Sequence, residues 1–238
     1  MGYGIIETAD AMSRMLQKMD HVAQNLANSA TSGYKAEHLY ASAQSELPED
    51  QDINSDYLLP PAISVIDFSR GITQRTGNPL DVMIESDGFF TVQAKNGPAY
   101  TRRGDFTLNR DNILVTQTGD PVLSENGPLT INSQNVSIGR DGSIKVDDAE
   151  IGRFKIVAFA DPGSLTRGES GYFQSAVEPQ KADRQEVAQG VIELSNVNVI
   201  REMVDMIDIQ RSFEMYQKVI QTMSDEDKIA VTRIGRLA

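Results

Sequence analysis

Chemistry beyond packing would have to come from very few side chains in this sequence of 238 residues. It holds two histidines, His21 and His38, and no cysteine, so it has no thiol nucleophile, no thiolate metal site and no disulfide framework. Two imidazoles build a structural zinc centre only with carboxylate help, and neither a His-x-x-x-His nor an Asp-x-Asp-x-Asp-Gly spacing occurs. No metal or other cofactor is expected. Gly-x-Ser-x-Gly elbows and the glycine patterns of nucleotide loops are missing as well. Two acidic pairs, Asp147 with Asp148 and Glu85 with Asp87, have the residue types of a glycosidase acid and base. Neighbouring strand residues face opposite ways, which separates the first pair, and the second falls at a turn. Gly139-Arg140-Asp141-Gly142 reads as a type I′ turn between strands at residues 136–138 and 143–146, not as a phosphate cradle. Catalysis is therefore not expected, and no catalytic, metal or cofactor-binding residue is assigned.

The composition narrows the partners. Lys and Arg number 22 against 34 Asp and Glu, a net charge of −12, which repels phosphate backbones and anionic lipid surfaces. Nucleic acid is not an expected partner. No run approaches the roughly 18 consecutive apolar residues of a membrane span, so direct membrane insertion is not expected either. Glu7, Asp10, Arg14 and Lys18 interrupt the amino-terminal segment early, and a cleaved secretory signal is not expected there.

The elements follow from periodicity. Ile5, Ala9, Met12, Leu16, Met19, Ala23 and Leu26 are spaced 4-3-4-3-4-3, the seam of a coiled coil on a helix that ends near Asn28. Gly33 follows a polar run, at a place where the backbone needs the positive φ that glycine adopts without steric cost. Five acids and no base lie between Ala41 and Pro60, with Pro48, Pro60 and Pro61 close by, which predicts a mobile connection.

From residue 63 to 194, turn signals recur every eight to fifteen residues. Gly77-Asn78-Pro79, Asn96-Gly97-Pro98, Asn126-Gly127-Pro128 and Asp161-Pro162-Gly163 are among them, and they predict an all-β module. Candidate strands run over 80–84, 89–93, 113–117, 143–146 and 154–160. At Ser195-Asn196-Val197-Asn198 the period changes again, with Asn198 or Ser195 able to cap a helix. Ile209, Phe213, Tyr216, Ile220, Met223, Ala230 and Ile234 keep a heptad spacing broken at Asp227, and Ile200, Val204 and Ile207 widen the stripe. A helix over 199–234 is about 54 Å long.

The expected fold class is α+β, with long N- and C-terminal helices forming a coiled-coil-like pair and a central all-β domain between them. The divisions are 1–36 for the first helix, 37–62 for the acidic connection, 63–194 for the β domain and 195–238 for the last helix. An amphipathic helix ordinarily packs on its own domain. Two heptad-width stripes at the two termini, one set off by an acidic connection, point instead to a partner surface.

Three ordered motifs resemble the axial proteins of the bacterial flagellum, the rod and hook family. Gln24-Asn25-Leu26-Ala27-Asn28-Ser29-Ala30-Thr31-Ser32-Gly33-Tyr34-Lys35 resembles the rod-protein motif that closes the first helix. Pro79-Leu80-Asp81-Val82-Met83-Ile84, Gly88-Phe89-Phe90 and Tyr100-Thr101-Arg102-Arg103-Gly104-Asp105-Phe106 are similar to a stretch shared by rod and hook members. Gln189-Gly190-Val191-Ile192-Glu193, Ser195-Asn196-Val197-Asn198 and Met203-Val204-Asp205-Met206-Ile207 match the carboxy-terminal motif. Ser86 departs from the pattern, which often has glycine there.

The resemblance implies a structural subunit that stacks helically, with copies of itself and other rod proteins, into the driveshaft linking motor and hook. It also implies export without cleavage through the flagellar type III apparatus, and residence in the basal body. The two helices would form the inner tube, with Ile5, Ala9, Met12, Leu16, Met19, Ala23, Leu26, Ile200, Val204, Ile207, Ile209, Phe213, Tyr216, Ile220 and Met223 at the assembly interface. Asn25, Asn28, Thr31, Gly33 and Tyr34 would shape the turn out of it. The short segment after the first helix and the ending from Arg211 to Ala238 resemble proximal rod members more than distal ones. A different class of reading, a β-domain binding module dimerised by its helices, stands as the alternative.

Overall fold

A computed structural model describes residues 2–41, 62–133, 135–182 and 185–234, apart from the side chains of 2–7, 41, 169, 223 and 226–234. The acidic connection expected over 42–61 lies outside the described residues. The chain divides into two compact units, one comprising residues 1–27, 37–65 and 198–238, the other 28–36 and 66–197. Residues 28–36, expected with the first helix, thus belong with the strands.

The first unit is built on two helices, α1 (Gly2–Ala27) and α2 (Val199–Ile234). Asn198 caps α2, its Oδ1 accepting from Arg201 N at 3.2 Å, which holds one of the amides that a helix start leaves unpaired. A two-stranded ribbon, β1 (Glu37–Ala41) and β2 (Ala62–Ile66), completes the unit.

α1 and α2 pack on each other, but not as the expected coiled-coil-like pair. On α1 the covered positions include Ala11, Met12, Met15, Met19, Val22, Asn25 and Leu26, whereas Ala9, Leu16 and Ala23 are exposed. At 100° per residue, the heptad seam is turned by roughly 80° from the face that packs. On α2 the covered positions include Glu202, Met206, Ile209, Phe213, Tyr216 and Ile220. Ile200, Val204 and Ile207 do not widen that stripe; they lie on the opposite side of the helix, exposed. The packed face contains a buried amide and a buried carboxylate, Asn25 and Glu202, which a purely apolar seam cannot include.

The second unit is antiparallel β. A six-stranded sheet runs in the order Thr166–Arg167, Phe173–Gln174, Gly97–Thr101, Phe89–Ala94, Ile156–Ala158, Gln180–Lys181. Successive residues of a strand face opposite sides, so Phe89 and Phe90 open two different cores. Phe90 meets Phe106 and Phe154 edge-on, at centroid distances of 5.1 and 5.3 Å, in the larger core with Val92, Leu114, Val122, Ile144 and Ile156. Phe89 packs with Phe173, Tyr100, Val157 and Leu165 in the smaller. Strands expected over 80–84, 113–117 and 154–160 are shorter in the structure, at Val82–Ile84, Leu114–Val115 and Ile156–Ala158.

A three-stranded sheet, Val136–Ile138, Ser143–Val146 and Ala149–Arg153, corrects two turn readings. Of residues 139–142 only Gly142 has positive φ, and Gly139 N donates to Ser143 O, so this is a three-residue hairpin loop with a left-handed glycine, not a type I′ turn. The type I′ geometry is at Asp147 and Asp148, φ 49° and 66°, between the paired residues Val146 and Ala149. These two acids are therefore turn residues rather than strand residues. Aspartate tolerates this region less well than glycine does. Asp148→Gly is expected to stabilise the β unit by about 0.5 kcal/mol, read as a raised urea midpoint at unchanged slope.

Candidate assembly site

The turn that follows α1 is fixed by local hydrogen bonds and by the β unit. Thr31 N donates to Asn28 O at 3.0 Å and Thr31 Oγ1 to Asn28 Oδ1 at 3.2 Å, closing the segment beyond the helix. Gly33 has φ +63°, and a Cβ built there would stand 2.4 Å from the carbonyl carbon of Arg102. Two independent reasons therefore require glycine: the left-handed backbone and the approach of another main chain. Gly33 N donates to Glu193 O at 2.7 Å. Tyr34 is buried, with the Arg167 guanidinium 4.4 Å above its ring, and Arg167 Nη2 donates to Lys35 O at 2.5 Å.

Lys35 and Glu193 form an ion pair of 2.6 Å with side chains only 1% and 3% exposed. Lys35 Nζ also donates to Ser69 O at 2.6 Å, and Glu193 Oε1 accepts from Gly71 N at 2.9 Å. Burial pushes the Lys35 ammonium below its usual value, and the hydrogen bond it donates to Glu193 opposes that shift. Nearby, Asn196 Oδ1 accepts from Ala36 N at 2.7 Å and its Nδ2 donates to Asp67 O at 2.8 Å, while Asp67 N donates to Ala36 O. Three stretches of chain, at 36, 67 and 196, are tied side by side.

Asn25, expected with the turn, lies on α1. Its amide holds Glu37 at both ends, accepting from Glu37 N at 3.0 Å and donating to Glu37 O at 2.9 Å, and it reaches Glu202 Oε1 at 3.2 Å. One side chain thus joins α1, β1 and α2.

The expected interface residues fall into three groups. Met12, Met19, Leu26, Phe213, Tyr216 and Ile220 are half-buried and Ile209 is buried. Ala9 and Ala23 are exposed, as are Leu16, Ile200, Val204 and Ile207, these last four at 44%, 76%, 52% and 49%. The side chains of Ile5 and Met223 lie outside the described residues. α2 consequently carries two apolar faces about 180° apart, the outer one made of Ile200, Val204, Ile207 and Met215 and flanked by Met203 and Val219.

Residues 188–232 match the C-terminal region of the flagellar basal body rod FlgEFG proteins, and 83–146 match the D1 domain of the flagellar hook protein FlgE/F/G family. The chain is similar to the flagellar basal-body rod protein FlgF of Caulobacter vibrioides, 31% identical with 93% of each chain covered. It is similar to FlgF of Escherichia coli at 33%, covering 94% and 95%, and to the rod protein FlgG of Bacillus subtilis at 32%, covering 90% and 92%. The chain belongs to the flagellar basal-body rod protein family. As a rod-family protein it is a structural subunit of the flagellar basal body that assembles with other flagellar components.

Four charged or polar anchors of this rod-family chain escaped the sequence reading as partners: Lys35, Arg167, Glu193 and Asn196. Lys35, Glu193 and Asn196 stand inside the family motifs, which was the available signal, whereas Arg167 stands in none. Replacing one member of a buried ion pair strands the other. Lys35→Met is expected to cost about 3 to 5 kcal/mol in urea unfolding, most of it recovered in Lys35→Met with Glu193→Leu. Gly33→Val is expected to exceed the roughly 1 to 2 kcal/mol of left-handed strain alone, because the Arg102 main chain must also move.

Proposed function

We propose that the chain is a subunit of the proximal rod, exported without cleavage through the flagellar type III apparatus, and that the outer face of α2 is covered by neighbouring subunits. The observation behind the reading is the second apolar face itself: Ile200, Val204 and Ile207 form an exposed stripe opposite the face that meets α1, with Met215 two turns further on beyond the exposed Arg211. Stripes of this kind are uncommon on monomers and mark partner surfaces. Leu16, with Ala9 and Ala23, supplies a narrower stripe on α1. The proximal assignment is supported by the shortness of the segment that follows α1 in the sequence. The role is structural rather than enzymatic.

Val204→Asp and Leu16→Asp provide the test. Both side chains are exposed in the single chain, so thermal melting should move by less than about 0.5 kcal/mol. In the assembled rod each would bury an unpaired carboxylate, at a cost of several kcal/mol. Secreted subunits that fail to enter basal bodies are expected; normal incorporation of both variants contradicts the interface. A tagged wild-type chain should map to the motor-proximal end of purified rods, and label at the hook-proximal end would instead identify a distal subunit.

A further inference from the structure

We propose that the β unit joins copies of this chain head to tail, the Val177-Glu178 bend of one copy seating in a groove beside Pro79 of the next. This contact is separate from the outer face of α2 and rests on the same reading of the chain as a rod subunit.

The groove is a cavity of about 500 Å³ with an apolar floor of Leu80, Leu108, Ile131 and Val136, of which Ile131 is buried and the other three half-buried. Pro79 and Val136 also wall a second cavity of about 350 Å³ that Arg75 lines, so the two run into one another. Gln189 ties these walls together, its Nε2 donating to Pro79 O at 2.8 Å and to Val136 O at 2.9 Å, and the groove is formed before anything enters it. On its rim the exposed Asn112 and Asn132 side chains make no hydrogen bond among the described residues, which leaves amides for an incoming main chain. The Arg75 side chain is exposed and pairs with no carboxylate among the described residues. A fitting occupant therefore carries an apolar side chain next to an acid.

Among the described residues, the β unit exposes three large aliphatic side chains, Ile72, Ile151 and Val177, at 75%, 38% and 62%. Ile72 stands between Gly71 and Thr73, with no acid beside it. Ile151 follows Glu150 inside a strand, where neighbours face opposite sides. Val177 stands at a bend outside the strands and is followed by the exposed Glu178. Ser175 locks that bend, its Oγ accepting from Val177 N at 3.0 Å and donating to Val177 O at 2.8 Å, and Pro179 stiffens the exit. A preformed knob loses little freedom on docking. Val177 enters the apolar cavity and Glu178 meets Arg75. Groove and knob are different surfaces, so each added copy leaves one of each open, and the contact extends an assembly instead of closing a dimer.

So small a contact does not hold two copies by itself, and the test uses purified basal bodies. The cysteine-free chain receives Ala176→Cys and Asn132→Cys, both at exposed positions, and is treated with a short bis-maleimide. A ladder of multiples of the chain is expected from the double variant and from neither single one. Arg75→Glu should cut the ladder at least about tenfold by setting like charges together, and Glu178→Arg added to it should restore the ladder. The amount of chain in the basal bodies reports on the outer face of α2 and the ladder on this contact, so the two readings fail separately. Basal bodies that contain the chain but give no ladder, a ladder indifferent to Arg75→Glu, dimers from a single variant, or cross-links only to a different protein overturn the proposal.

Discussion

Lys35 and Glu193 lie far apart in sequence and are almost completely removed from water, so neither charge is tolerable without the other. Around this pair the β unit closes. The ammonium also takes the carbonyl of Ser69, and the carboxylate takes the amide of Gly71, so three separate stretches of chain satisfy one another's polar groups. Such a pair adds little net stability over an apolar contact, but any other register leaves a buried charge alone. Gly33 and Arg167 then become intelligible. The Gly33 amide is bonded to the Glu193 carbonyl, and Arg167 covers Tyr34 while holding the Lys35 carbonyl.

The helical unit obeys a different constraint. α1 and α2 meet over a face that includes a buried amide–carboxylate pair, Asn25 and Glu202, and α2 keeps a second apolar face with no partner among the described residues. One face is used for folding, and the other is the one proposed for assembly. A family member that polymerises needs both, because a helix whose only apolar face is spent on its own chain has nothing to offer a neighbour.

Much of this was legible in the sequence, and the gaps have physical causes. α2 was readable to its ends, since Ser195 or Asn198 announces a cap and the apolar period, broken only at Asp227, runs on to Ile234. The β unit was readable from its Asn-Gly and Asp-Gly turns, although Asp147-Asp148 hides a type I′ turn behind residues that seldom form one. The packing face of α1 was not readable from apolar spacing, because Asn25 counts as polar in a pattern yet is buried. Ile200, Val204 and Ile207 were merged with Ile209 and Phe213 because a list of apolar positions does not reveal two stripes on opposite sides of one helix. Lys35 and Glu193 were visible as motif letters; that they pair required the fold.

The central claim is that the outer face of α2 is free in the single chain and covered in the rod. The absence of cysteine permits single-site maleimide labelling at Val204→Cys and, as an exposed reference on the same helix, Gln210→Cys. The account predicts that the thiol at 204 reacts readily in the free subunit and becomes at least about tenfold slower, relative to the reference, in purified basal bodies. Equal relative reactivity in the free and assembled states would show that no neighbour covers this face, and would contradict the account.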